Sequence, residues 1–166
     1  MNDQISVAVT GLAWMGSGIG SIETAMERLF READHEILIT LYAISSAADV
    51  ILEWLEASLE KGILIRIAIN KLSEQPPDVV LHLEALSNKY PHLYIYDFNG
   101  EETQDLHAKV IVADRQVAIV GSSNLSQRGF ITNHELALVV RGHSVENIAT
   151  ALDKLFSSPL LTKHVS

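Results

Sequence analysis

The most informative stretch of the chain lies between residues 106 and 124, where several side chains are of types that handle phosphate. On a strand, residues i and i+2 point to the same side, so His107 and Lys109 would project together, about 7 Å apart. A neutral imidazole can attack phosphorus or move a proton near pH 7. An ammonium group beside it can hold a phosphate oxygen through its charge.

A second group of polar residues follows the same stretch. Ser122 supplies a hydroxyl and Asn124 an amide, both of which can bind phosphate oxygens, and Gly121 would let the chain turn sharply before them. Together with His107 and Lys109 they predict a phosphate site that carries its own nucleophile. The remaining histidines do not have the spacing of metal ligands, so we expect neither a metal nor another cofactor.

The elements that must position these residues follow from the alternation of two hydrophobic periods. Strands are predicted over 4–9, 36–42, 63–69, 92–96 and 134–140, and helices over 22–33, 47–60, 77–89 and 144–157. Two apolar runs, 107–113 and 116–121, flank Asp114 and Arg115 and predict a hairpin. Residues 125–130 could form a short turn or helix. The pattern predicts a single α/β layered domain over 1–166, with a mixed, mainly parallel sheet flanked by helices on both faces.

Composition and charge exclude several classes of protein. With 166 residues, 48% apolar and 20% charged, the chain is too apolar to be a long disordered segment. It has no cysteine, which excludes disulfide scaffolds, cysteine-ligated metal sites and a thiol nucleophile. Its net charge of −9 is unlike that of a free-standing nucleic-acid binder. Residues 106–145, however, carry four Lys or Arg against Asp114 and Glu135, so a polyanion would be met locally or through another subunit.

The sequence also bears on location. No apolar run approaches about 18 residues, so we expect no membrane-spanning helix and no membrane partner. The start of the chain lacks the basic region of a signal peptide, and a cytoplasmic location is therefore expected.

The residues around His107 resemble the phospholipase D superfamily, whose signature is H-x-K-x(4)-D-x(6)-G-S-x-N. Every fixed position of that signature is matched, at His107, Lys109, Asp114, Gly121, Ser122 and Asn124. Glu135 sits where a downstream acidic residue often accompanies it. The resemblance covers about residues 22–140, with one departure at Asn70, where many relatives carry an acid.

A single signature in a chain of this size resembles the small nucleases of that superfamily, which form homodimers with two motifs facing across a two-fold axis. One histidine cannot stand on both sides of a phosphorus atom, whereas two symmetry-related copies can. The resemblance implies that His107 of one subunit attacks phosphorus and forms a phosphohistidine, while His107 of the partner subunit protonates the leaving oxygen. It also implies that Lys109 and Asn124 steady the phosphate charge, with Ser122, Glu135 and Asp114 in support.

Each of these residues also has a plainer interpretation. His107 could be an ordinary histidine satisfied at a strand end, and Asp114 could serve only the hairpin turn. Ser122 and Asn124 could cap a helix, and Glu135 could be an ordinary acid at the start of a strand. A glycine-rich stretch at 16–20 has the spacing G-x-G-x-G, which does not match a dinucleotide fingerprint and predicts a loop that could border the site.

Three functions remain open on the sequence alone. The first is a metal-independent nuclease acting on DNA or RNA, with a partner protein that delivers the nucleic acid, because small proteins of this type occur in bacterial defence systems. The second is a hydrolase or transferase of phospholipids or small phosphodiesters, which would use the same chemistry. The third is a non-catalytic subunit of a nucleic-acid-processing or defence complex.

Overall fold

In the part of the chain that the structure describes, the protein is built around one mixed sheet of nine strands. The computed structural model describes residues 2–14, 16–45, 49–100, 103–124 and 133–164. The strands are β1 (Gln4–Thr10), β2 (Gly20–Ser21), β3 (Glu36–Leu41), β4 (Leu64–Asn70), β5 (Leu93–Phe98), β6 (Val110–Ala113), β7 (Val117–Gly121), β8 (Glu135–Arg141) and β9 (Leu161–Lys163). Their order across the sheet is β2-β1-β8-β7-β6-β3-β4-β5-β9.

The described helices lie on both sides of this sheet. They are α1 (Ile22–Glu32), α2 (Asp49–Glu60), α3 (Pro77–Lys89) and α4 (Ser144–Phe156). Apolar residues of α1, α2 and α3 share a core with the odd-numbered isoleucines of β3 and β4. Residues of α4 instead pack with Leu38, Ala68 and Val112, which point to the opposite face. None of the described helices is both long enough and apolar enough to cross a membrane.

The expectation of a mainly parallel sheet is wrong, although the sheet is mixed as predicted. Among the described strands, only β1–β2, β3–β4 and β4–β5 pair in parallel. The other five pairings are antiparallel. Strand–helix–strand crossovers produce parallel neighbours only in the β3–β4–β5 unit, whereas the tight turn between β6 and β7 forces them to be antiparallel. The short edge strands β2 and β9 were not predicted, because two or three residues carry too little periodicity.

Most predicted elements are found, with their ends displaced by a few residues. The exception is the first arm of the predicted hairpin, where the strand begins at Val110 rather than at His107. The last pair of the β3–β6 ladder is Thr40 with Val110, so residues 107–109 lie beyond the paired stretch. The predicted turn or helix at 125–130 lies outside the described residues.

The turn between β6 and β7 is held by Asp114. Both Asp114 (φ 51°) and Arg115 (φ 55°) adopt left-handed backbone conformations, and the Gln116 N–H donates to the Ala113 carbonyl at 3.0 Å. Positive φ at both central residues gives a hairpin turn whose twist matches that of the strands. The Asp114 carboxylate accepts three backbone N–H groups, from Asp34, His35 and Glu36, at 2.8 to 2.9 Å. It therefore ties the β6–β7 turn to the start of β3.

Asn70, which is buried at the end of β4, fixes the segment that precedes β6. Its Oδ1 accepts from the Leu106 N–H at 2.8 Å, and its Nδ2 donates to Asp105 Oδ1 at 3.2 Å. An amide can do both at once, whereas an ionised carboxylate at this position would only accept and would face Asp105. The residue that departs from the superfamily pattern thus fixes the segment that leads into His107.

Replacing Asp114 with alanine is expected to lower the free energy of unfolding by about 2–3 kcal/mol, because three N–H groups at the start of β3 lose a charged acceptor. Asp114→Asn keeps an acceptor oxygen and is expected to cost about 1 kcal/mol. Urea unfolding measures both. Gln116→Ala, an exposed change in the same turn, is the control and should leave the midpoint unchanged; equal loss for Gln116→Ala and Asp114→Ala would contradict the assigned role.

Asn70→Asp is expected to cost about 2 kcal/mol, since it removes a donor and places two carboxylates together. Adding Asp105→Asn should restore most of that loss, because the two side chains would then have exchanged roles, with an amide at position 105 donating to a carboxylate at position 70. A double-mutant cycle by urea unfolding tests this coupling. Strictly additive losses in the double variant would show that the two side chains do not interact.

Candidate active site

Five of the six predicted site residues come together at one edge of the sheet. The start of β6, the end of β7 and the start of β8 meet there because these strands are antiparallel neighbours, with Val110 paired to Val120 and Gly121 to Ala137. The pairing continues past the strand ends, where the Gly121 N–H donates to the Lys109 carbonyl at 3.2 Å. The end of β3 and Tyr42 lie at the same edge, next to the start of β6.

His107 and Lys109 are in direct contact. Lys109 Nζ lies 3.2 Å from His107 Nδ1 and donates to the His107 carbonyl at 3.0 Å. His107 is exposed, and its Nε2 is the ring nitrogen on the side away from this contact. The Tyr42 ring packs against the imidazole with centroids 4.6 Å apart, and Lys109 Nζ lies 5.4 Å from the centre of the same ring. An imidazole and a cation thus contact the same aromatic ring.

Ser122 and Glu135 form the second part of the site. The Ser122 hydroxyl donates to Glu135 Oε2, and it accepts from the Leu136 N–H at 3.2 Å. The Asn133 amide donates to the other carboxylate oxygen, Glu135 Oε1, at 3.3 Å. These bonds orient the Glu135 carboxylate at the start of β8, where its charge acts on Lys109.

Asn124 faces the end of β3. Its Oδ1 accepts from the Ala43 N–H at 3.4 Å, which links the segment after β7 to the segment after β3. With Oδ1 directed at the backbone, the amide nitrogen of Asn124 is the atom suited to donate to a phosphate oxygen. Both Asn124 and Ser122 therefore have internal contacts as well as donors suited to an anion.

The charge of Lys109 is set by burial and by one carboxylate. Partial burial desolvates the ammonium and lowers the pKa of Lys109 below its ordinary value, while the nearby Glu135 carboxylate acts in the opposite direction. A small cavity bordered by Met26, Ile119 and Ala137 lies behind the lysine and contributes to the apolar surroundings. A partly desolvated cation interacts more strongly with an anion than a fully hydrated one does.

Gly121 is required for a different reason from the one the sequence suggested. Its φ is not positive, so the turn does not demand glycine. A Cβ at this position would instead lie 2.6 Å from Ala137 Cβ and 2.9 Å from Ala137 Cα. Glycine permits β7 and β8 to approach closely beside the site, which brings Ser122 to Glu135.

Asp114 is the one predicted site residue that the structure does not bring to this edge. It lies at the far end of the hairpin, where its carboxylate caps the start of β3. The plainer interpretation of Asp114 as a turn residue therefore describes its position. Its place in the signature agrees with a role in fixing the β6 register from the opposite end.

The local excess of positive charge is also not concentrated at the site. Arg115 lies at the far edge and binds Glu36, Glu146 and Asp153 at 2.7 to 3.2 Å. Arg141, at the far end of β8, lies 3.5 Å from Glu32. Of the cations counted around the motif, Lys109 is at the site, and Arg128 lies outside the described residues.

The segment before the glycine-rich stretch borders the start of β8. The Ala13 N–H donates to His134 Nε2 at 3.1 Å, and the Trp14 ring lies 5.6 Å from the His134 ring. His134 is thereby tied to this segment, immediately before Glu135. Over the part of the chain that the structure describes, no group of three or more His, Asp or Glu side chains is arranged to hold a metal ion.

Sequence reasoning missed Tyr42, Gln75 and the positioning role of Asn70. Tyr42 falls at the end of the predicted strand 36–42, and Gln75 falls in the connection between the predicted strand 63–69 and the predicted helix 77–89. The available signal was that polar and aromatic residues follow the carboxyl ends of the parallel strands β3 and β4, where sites in such sheets tend to lie.

Comparisons with known proteins show the family and the fold. Residues 26–159 match the family model described as "Cardiolipin synthase, PLD-like domain". Nuc from Salmonella typhimurium, a phospholipase D family member, superposes with a TM-score of 0.78 at 17% identity, covering 99% of this chain and 100% of that one. NucT from Helicobacter pylori gives 0.77 at 16% identity, covering 98% and 100%.

A relative is also found by sequence. The DISARM protein DrmC of Bacillus paralicheniformis is 29% identical over 141 residues, which cover 83% of this chain and 57% of that protein. The chain thus spans little more than half the length of this relative. The match of the family model over most of the chain, together with the fold and the intact signature, shows that the protein belongs to the phospholipase D superfamily.

Proposed function

We propose that this protein is a nuclease that hydrolyses phosphodiester bonds of DNA without a metal, through a phosphohistidine intermediate at a site shared by two copies of the chain. The observation that carries the proposal is the contact between His107 and Lys109 at an exposed sheet edge, with Ser122, Asn124 and Glu135 beside it. A nucleophile and a cation placed together are what phosphoryl transfer to a side chain requires.

In the first step, Nε2 of His107 attacks phosphorus. An imidazole that attacks through Nε2 carries its proton on Nδ1, so Lys109 leaves Nδ1 and binds a phosphate oxygen. The P–N bond forms as the bond to the leaving oxygen breaks, and the protonated His107 of the partner subunit donates its proton to that oxygen. The Asn124 amide and the Ser122 hydroxyl donate to the equatorial oxygens.

In the second step, water replaces the histidine. The partner subunit's His107, now neutral, takes a proton from a water molecule, which attacks phosphorus and breaks the P–N bond. The products are a phosphate monoester end and the original nucleophile, and the partner subunit's His107 is protonated again. Both imidazoles therefore return to their starting states, and the charge held elsewhere by a divalent cation is supplied by Lys109.

An apolar surface next to the site supports the second copy. It comprises Ile5 and Val7 of β1 with Leu136 and Leu138 of β8, which point to one face of the sheet and are 64, 40, 45 and 38% exposed. The helix α4 packs over Val140 on this same face. The patch starts at Leu136, whose N–H binds Ser122, so it reaches the end of the sheet that carries the site, on the face opposite to the Glu135 side chain.

Two observations favour a polymeric substrate. His107 is exposed at an open edge, and the cavity that borders Lys109 has a volume of only about 10 Å³, too small for an acyl chain.

The net charge of −9 also predicts weak, salt-sensitive binding of nucleic acid by the protein alone. We therefore propose that a partner protein delivers the DNA in the cytoplasm, in keeping with the similarity to a DISARM protein.

Purified protein is expected to nick supercoiled plasmid in EDTA at low salt, and His107→Ala is expected to lower the rate by roughly a thousandfold or more, because it removes the nucleophile. Gel analysis of plasmid and of labelled single strands measures this. His92→Ala, a histidine whose Nε2 lies 2.9 Å from the Leu59 carbonyl and away from the site, is the control. Turnover of short-chain phosphatidylcholine with no cutting of any nucleic acid would instead favour the lipid enzyme.

Leu138→Asp is expected to weaken a homodimer by roughly tenfold or more, because a charge would be placed in an apolar interface. Light scattering over a range of concentrations measures the equilibrium. Leu81→Asp is the matched control, since Leu81 is 64% exposed on α3, and it should leave the dimer intact. A wild-type monomer at all concentrations would contradict the shared site and favour the non-catalytic subunit.

A further inference from the structure

Tyr42 is in contact with both reactive side chains of the site. It directly follows β3 and is half-buried. Its ring centroid lies 4.6 Å from that of His107, with 49° between the planes, and 5.4 Å from Lys109 Nζ. An imidazole at an exposed edge would otherwise sample several rotamers, and an ammonium group is attracted to the face of an aromatic ring.

The backbone that carries Tyr42 is held from two sides. The Gln75 side chain donates to the Tyr42 carbonyl at 3.3 Å and accepts from the Ile44 N–H at 3.1 Å. The intervening Ala43 N–H donates to Asn124 Oδ1 at 3.4 Å. Gln75 also donates to the Asn70 carbonyl at 2.8 Å, which connects this support to the residue that fixes the approach to His107. The backbone segment that carries the Tyr42 ring is therefore fixed by hydrogen bonds from Gln75 and Asn124.

We propose that Tyr42 is a positioning residue for the reaction: its ring fixes the plane of the His107 imidazole and holds the Lys109 ammonium near the ring face when that ammonium leaves Nδ1 for a phosphate oxygen. The inference rests on the proposed function and adds to it a residue outside the superfamily signature. The contacts depend on the ring rather than on the hydroxyl, so phenylalanine should replace tyrosine and an aliphatic side chain should not.

The same contact bears on the charge of Lys109. The titratable groups that face Lys109 are His107 on its own segment, Tyr42 after β3 and Glu135 at the start of β8. Burial already lowers the pKa of Lys109, and the ring face favours the charged form. Removing the ring should therefore lower that pKa further, and keeping the ring should leave it unchanged.

The test compares Tyr42→Leu with Tyr42→Phe in the DNA cleavage assay. We expect Tyr42→Leu to lower kcat about tenfold with less than about a twofold change in KM, since imidazole orientation affects the chemical step more than binding. Tyr42→Phe should stay within about twofold of the wild type. Tyr94→Leu is the matched control, because Lys163 Nζ lies 4.3 Å from the Tyr94 ring in the β5–β9 region, away from the site.

A second measurement does not depend on activity. In the wild type and in Tyr42→Phe, the His107 ring protons should show an NMR shift caused by the neighbouring ring, and Tyr42→Leu should abolish it; the Lys109 Cε titration should move to lower pH in Tyr42→Leu alone. Unchanged His107 shifts in Tyr42→Leu, or equal loss of kcat in the two variants, would overturn the proposal. Wild-type protein that cleaves no DNA would contradict the proposed function, while these spectra would still decide the role of Tyr42.

Discussion

The antiparallel pairing of β6 with its two neighbours is the constraint on which the site depends. It places residues 107–109 beside Tyr42 on one side and beside Gly121 to Asn124 on the other. The register is fixed at the far end by the three bonds of Asp114, and at the near end by Asn70. A slip of one residue would turn His107 and Lys109 to the face opposite to their partners. The geometry of the candidate site therefore depends on the register that is fixed at the distant turn.

The charges are divided between the two edges of the sheet. At the far edge, Arg66 and Arg115 share Glu36 and Asp153 in a network that fastens α4 to the strands. At the edge with the candidate site, Lys109 is partly desolvated and faces Glu135. The site therefore presents an ammonium group that interacts strongly with an anion, on a protein whose net charge is negative. Such an arrangement suits catalysis on a bound phosphodiester better than the capture of nucleic acid from solution, which fits a second copy and a delivering partner.

Much of this architecture could be predicted from the sequence, because long apolar runs fix the buried strands and the spaced signature fixes which residues meet. Three features could not. The antiparallel directions of β6 beside β3 and of β8 beside β7 depend on connection geometry, which the strand–helix–strand pattern does not carry. Arg115 and Lys109 lie apart because one follows β6 and the other precedes it, and a count of local charge cannot show this separation. Tyr42 contacts His107 across 65 positions of sequence, and such a contact exists only once β3 and β6 are paired.

The shared site is tested most directly by mixing the wild-type protein with His107→Ala protein and allowing the subunits to exchange. If both imidazoles serve one site, a mixed dimer is inactive, and an equal mixture retains about one quarter of the activity of the same total amount of wild-type protein. Activity should then rise as the square of the wild-type fraction. A linear dependence, with about half the activity at equal mixing, would mean that each chain works alone and would contradict the account.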